Sequence, residues 1–347
     1  MHENQESKSS SSITKVISGI AKVGDAEGLG EFKLGDFFQE AFKSHTEEEV
    51  EQSIIVGTSK TTPDITEISI TYPKPWLFFR LIIASLVLFY GFVFAYYEFK
   101  NANLLPGLIF TGSFAIPIST VFLFFELNIR KNVPLWQVMR LVLFGGILSL
   151  IFSLILFENT DFLNDSMGAS VAGVVEEPAK LAALVVLMRG KRNFPYILNG
   201  LLMGAAVGCG FAAFESAGYA LRYGFAFFGV PNISGIVNII QLRGLLSPFA
   251  HIVWTAVAGA ALWRVMRGRK FDFEFCKKKE FYAPFLSVVT CHAVWNSDFD
   301  LPLMGKYIAL GTVAWILALS LVNLGIKQIA EEKSGKSIFP STSQESI

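Results

Sequence analysis

The chain has 347 residues, of which 52% are apolar and only 17% charged, against about a quarter charged in an ordinary soluble domain. A formal net charge of zero, with no dense basic arm, gives no electrostatic basis for binding nucleic acid. Three scattered cysteines, Cys209, Cys276 and Cys291, argue against a disulfide framework or a thiolate zinc site; Cys291, beside His292, reads as a small packing residue.

Residues 1–15 are rich in Ser and Lys and lack an apolar h-region, so they do not read as a secretory signal peptide. Further on, Phe32, Leu34, Phe37, Phe38 and Phe42 precede the acidic run Glu47–Glu49. This pattern predicts one short amphipathic helix over 32–53, lying on the membrane surface, on a partner or on its own protein. The whole segment 1–75 reads as a partly disordered N-terminal region without chemistry of its own.

From Trp76 onward, apolar stretches near the ~20 residues needed to cross a bilayer recur. They fall at about 76–97, 104–125, 138–157, 167–188, 197–223, 243–263, 281–297 and 303–325. The expected fold is therefore all-α: a polytopic membrane helix bundle of about eight transmembrane helices, with a membrane domain over 76–327 and a tail over 328–347. Basic residues concentrate in the even-numbered loops (Arg130 and Lys131; Arg189, Lys191 and Arg192; Arg264 to Lys279), while Glu158–Asp165 and Asp298–Asp300 make two odd-numbered loops acidic. Basic loops stay in the cytoplasm, which predicts a multi-pass protein with both termini cytoplasmic. Residues 224–240 remain apolar between spans five and six and fit an interfacial or a partly re-entrant segment.

An ionisable side chain in the hydrocarbon layer costs roughly 2.5–3.5 kcal/mol, so each one needs a reason. Span four carries Glu176, Glu177 and Lys180, span five Glu215, span six His251, and span seven His292 with Asn296. At ~1.5 Å rise per residue, Glu176 lies about 14 Å from the outer end of its span, Glu215 and His251 about 12 Å, and His292 about 9 Å. Chain direction alternates between these spans, so the four groups share one layer. Glu176 and Lys180, four apart, are placed to neutralise each other, and Lys180 can form a structural ion pair with either glutamate. Gly200, Gly204 and Gly208 let a neighbouring helix approach the face that carries Glu215. Ser247, His251 and Thr255 form a polar stripe, and Trp254 and Trp295 read as packing and lipid-facing residues. Glu126 and Arg80, near span ends, should be interfacial.

A carboxylate held in such a site can act as a general base on water, and a His/Asn pair can donate to a developing oxyanion. Zinc also accepts His nitrogen and carboxylate oxygen. Because H-E-x-x-H is absent, a standard zincin site is excluded. Hydrolysis inside a membrane, with a protein or lipidated peptide as substrate, fits the set. A non-catalytic scaffold or immunity protein on the same fold is the alternative, and a proton-coupled transporter a third; the transporter would need an inverted hydropathy repeat that the sequence does not display.

Glu176-Glu177-x-x-Lys180, Phe211-x3-Glu215, the isolated His251 and His292-x3-Asn296 occur in order on successive spans. In this the sequence resembles the PrsW family of intramembrane proteases, within the group that includes the CAAX prenyl endopeptidases, over about residues 80–325. Glu215 in the second motif and Lys180 in the first sit nearer PrsW, which makes farnesylated substrates unexpected. The resemblance implies an intramembrane endopeptidase with Glu176 as water-activating base, assisted by Glu215. Glu177 belongs to the same catalytic set, His292 and Asn296 stabilise the oxyanion, and His251 contributes to the pocket. Members have been described both as metalloproteases and as metal-free glutamic proteases, so the cofactor is either none or zinc, with Glu177, Glu215, His251 and His292 as candidate ligands. The implied partners are a lipid bilayer and a membrane-anchored protein substrate, an anti-sigma factor being the family's example.

Overall fold

The computed structural model describes residues 19–20, 22–23, 33–191, 193–224 and 232–339. The expectations at Phe32, Arg192, Phe225, Phe227 and Phe228, and over 340–347, lie outside these residues. All regular elements among the described residues are helical.

The N-terminal region does not form the single amphipathic helix expected over 32–53. Over residues 33–54 two short helices stand in its place, α1 (Leu34–Phe37) and α2 (Glu47–Ile54). The acidic run explains the division. Thr46 caps α2 through a reciprocal box with Glu49, and three glutamates in the first turn suit the positive end of a helix, so they start a helix rather than finish one. Phe37 and Val56 are buried in the same core as the membrane helices; this region packs on its own protein.

The bundle follows as α3 (Leu77–Phe99), α4 (Leu105–Leu127), α5 (Leu135–Arg140), α6 (Gly146–Asn159), α7 (Val171–Met188), α8 (Ile197–Gly224), α9 (Ile233–Leu246), α10 (His251–Met266), α11 (Lys279–Asn296) and α12 (Gly305–Lys333). A π-helical stretch, Leu141–Gly145, joins α5 to α6. The first turn of α3 is closed by Glu126 from α4, whose carboxylate accepts the backbone N–H groups of Trp76, Leu77 and Phe78 at 2.7, 2.9 and 3.0 Å. That answers three of the four donors a helix start leaves open. Six helical segments, Leu77–Phe99, Ala102–Leu127, Leu135–Asn159, Ile197–Gly224, Ile233–Met266 and Pro302–Lys333, are long and apolar enough to cross a membrane. The chain is a multi-pass membrane protein. Helices also stand at the expected fourth and seventh places, but α7 and α11 have only 18 residues each and carry charges within them.

The sixth span departs from expectation. Its helical stretch begins at Ile233, and a 3-10 turn over Ser247–Phe249 then breaks it, with Ala250 at φ −121°, ψ −126°. Pro248 has no N–H to continue a helix, and its carbonyl is taken by the Trp315 indole at 3.0 Å. His251 is thus the first residue of a new helix, and Ser247–His251–Thr255 is not one helical stripe.

Helix α8 runs through the centre, and its glycines set its distance from α10. A Cβ at Gly204 would lie 2.2 Å from the Thr255 carbonyl oxygen, and one at Gly208 2.4 Å from that of His251. On another face, a Cβ at Gly210 would meet the Val142 carbonyl at 1.9 Å. These helices touch backbone to backbone, as small residues permit in a membrane. At one end of the bundle Arg130 donates to the Pro63 carbonyl and the Tyr196 hydroxyl, Tyr196 to Glu332, and Lys333 to the Ile68 carbonyl. The N-terminal region, two basic loops and the end of α12 therefore share one side.

Candidate active site

Five of the six predicted catalytic side chains converge between α7, α8, α10 and α11. Close approach of α7 to α11 begins at Gly173, where a Cβ would stand 2.4 Å from the Ala293 nitrogen. One turn further along, Glu177 Oε1 lies 2.8 Å from His292 Nδ1 and 2.5 Å from Lys180 Nζ. Both Glu177 and Lys180 are fully enclosed. Of the two glutamates open to it, Lys180 therefore neutralises Glu177. Its Nζ is also 3.0 Å from His251 Nδ1 and sits over the Phe211 ring at 4.6 Å. A buried ammonium held by a carboxylate, an imidazole and an aromatic face has its charge answered on three sides, which gives the phenylalanine of the second motif its place.

Beyond His251, Nε2 lies 3.2 Å from Glu215 Oε2. The same oxygen accepts from Arg243 of α9, whose Nε donates to Ser216 Oγ at 2.9 Å. Arg243 was not singled out in the sequence because it fell on a presumed span border. The signal was there: it is the lone cation in the apolar stretch 233–250.

The partners fix the imidazole protons. An ammonium only donates, so His251 Nδ1 accepts from Lys180 and its Nε2–H donates to Glu215. A carboxylate only accepts, so His292 Nδ1–H donates to Glu177 and the neutral ring turns its Nε2 lone pair outward. That nitrogen faces Glu176 Oε2 at 3.7 Å, and His251 Nδ1 is 4.0 Å from the same oxygen. Glu176 Oε2 is buried and has no hydrogen-bond partner. The result is one relay, Arg243–Glu215–His251–Lys180–Glu177–His292, ending on a gap in front of Glu176.

Trp254, expected as packing or lipid-facing material, is fully buried and stacks on His292 with ring centroids 4.6 Å apart. The sixth predicted residue, Asn296, ends α11 half-buried and has no hydrogen bond to this cluster among the described residues. Glu176, His251 and His292 each offer a ligand atom, all within 4.8 Å of one another. His251 and His292 belong to the four expected candidates, whereas Glu176 stands in place of Glu177 and Glu215, which are committed to Lys180, His292, His251 and Arg243.

The family model of the PrsW family intramembrane metalloproteases matches residues 133–323. The chain belongs to the PrsW family. It is accordingly an intramembrane protease. The matched segment runs from α5 into α12 and holds the whole relay, while α3, α4 and the N-terminal region precede it. No curated protein and no solved structure matches the chain.

Proposed function

We propose that the chain is an endopeptidase of membrane-anchored proteins in which Glu176 activates water and the Glu177–His292 pair carries its proton. The observation behind this reading is the 3.7 Å gap between Glu176 Oε2, which lacks a partner, and the outward Nε2 of His292. Water placed off the line between these two atoms can donate to both. Glu176 takes the proton and passes it to His292 Nε2, and Glu177 stabilises the resulting imidazolium through Nδ1–H, the role an orienting carboxylate plays in a hydrolytic triad. The imidazolium and the Asn296 amide, one turn along α11, donate to the oxyanion, and the proton then leaves with the amine. Glu215, fixed by Arg243, holds His251, which keeps Lys180 beside Glu177.

The donor set also suits the metal ion in the family's description. A carboxylate oxygen and imidazole nitrogens are zinc ligands, and the bare Glu176 Oε2 and the open His292 Nε2 fit that use. Glu176, His251 and His292 would hold the ion, His251 giving up its bond to Lys180. When bound, zinc supplies Lewis-acid activation of the water.

The basic loops share a side with the N-terminal region and the end of α12, which supports cytoplasmic termini by the positive-inside rule. With α7 and α11 counted, the bundle has eight spans. The substrate class is a membrane-anchored protein, of which an anti-sigma factor is the instance the resemblance suggests.

Comparing membrane proteomes of cells carrying the wild type and Glu176→Ala tests the reading. Full-length membrane proteins should accumulate with Glu176→Ala at unchanged enzyme level. Unaltered fragment patterns would remove Glu176 from the mechanism.

A further inference from the structure

A basic cavity lies away from the relay, at the opposite ends of α7 and α10. It encloses about 570 Å³, within the ~300–1,000 Å³ usual for small-molecule sites. One half is apolar, with Val186 from the last turn of α7, Trp263 and Met266 from α10, and Phe271. The other half presents Arg189, Lys191, Arg269 and Lys270, and no carboxylate among the described residues lines it.

Two helix C-termini end here and would repel an anion, but several of their end carbonyls are already occupied. Arg140 donates to the Leu187 carbonyl at 3.1 Å, and Arg269 to those of Val265 and Met266 at 2.7 and 3.1 Å. Three exposed cations remain, Arg189, Lys191 and Lys270, whose side chains have no ion pair or hydrogen bond among the described residues. The walls are tied together, since the Trp263 indole donates to the Phe194 carbonyl at 2.7 Å.

We propose that this cavity binds an anionic phospholipid, its phosphate on Arg189, Lys191 and Lys270 and an acyl segment against Val186, Trp263 and Met266. The location supports a lipid over a free anion: the cavity joins apolar helix ends to basic loops, where a bilayer places its headgroups. Because α7 carries Glu176 and Glu177 and α10 starts with His251, the lipid would tie the far ends of the two helices that meet in the relay. The inference does not depend on the protease mechanism.

The test uses the full chain in neutral detergent, with native mass spectrometry and thermal unfolding against phosphatidylglycerol, phosphatidylcholine and inorganic phosphate. Phosphatidylglycerol should bind most tightly and raise the unfolding temperature. Arg189→Gln/Lys191→Gln/Lys270→Gln should weaken it by about 100-fold, given the free energy each cation near a lipid surface contributes. Val186→Trp, at a site already half exposed, should also displace it by filling the apolar half, and serves if the triple variant does not fold. Equal binding of phosphatidylcholine, equal protection by phosphate alone, or unchanged phosphatidylglycerol binding in the variants would overturn the proposal.

Discussion

His292 and Glu177 are joined through Nδ1 and Oε1 at 2.8 Å, and the same oxygen accepts from Lys180 at 2.5 Å. One carboxylate oxygen thus both orients the imidazole and answers the buried ammonium.

Glu177→Gln is therefore expected to fail twice. Removing one member of an enclosed ion pair costs about 3–5 kcal/mol, and loss of the orienting charge should lower cleavage by about 100-fold or more. Combining it with Lys180→Met should restore most of the thermal stability in detergent while cleavage stays low. Recovery of both together would make Glu177 a structural residue only.

Gly204→Ala places a methyl group against the Thr255 carbonyl, whereas Gly218 on the same helix has nothing within 4 Å of a Cβ. Overpacking typically costs about 1–3 kcal/mol, and here it would push α10, with His251, away from Glu215. Gly204→Ala should lose stability and activity, and Gly218→Ala should lose neither. Thermal unfolding beside a cleavage assay reads both; equal behaviour would mean the helix spacing is not held at Gly204.

Arg243 grips Glu215 and Ser216 at once. Arg243→Gln should reduce cleavage, and Arg243→Lys should not rescue it, because one ammonium cannot reproduce the guanidinium fork. Full activity of the lysine variant would reduce Arg243 to a diffuse positive charge.

Metal content separates the ligands from their neighbours. A zinc ion held by Glu176, His251 and His292 would be lost in Glu176→Gln and in His292→Gln but kept in Glu215→Gln, whereas wild-type protein that cleaves without any bound metal leaves Glu176 as the base. Elemental analysis decides it; retention in the first two variants would place any ion elsewhere.

Much of this was legible in the sequence because a membrane makes polar residues conspicuous. Glu176, Glu177, Glu215, His251 and His292 stood out as ionisable groups in apolar stretches, and they do meet. The positions of most helices and the glycine face of α8 followed from hydropathy and residue size, while α12 runs on to Lys333, past the expected end at 325. Local spacing could not give the choice of partner: Lys180 is near enough in sequence to both glutamates, and His251 and His292, from distant helices, draw it to Glu177. The break before His251 was hidden because residues 243–263 are apolar on both sides of it, with Pro248 the only sign. The acidic run at Glu47–Glu49 lay within the one helix expected over 32–53, although its charge suits a helix start.

Helices α7 and α11, which bring Glu176, Glu177 and His292 together, each have 18 residues. At ~1.5 Å per residue they rise about 27 Å, less than the ~30 Å of a typical hydrocarbon core. A bilayer accommodates such short segments by thinning around them. On the eight-span reading, water would have the least lipid to cross beside Glu176, and a substrate helix of ordinary length arriving there would overhang the thinned region, with its end residues outside the oily layer and open to hydrolysis.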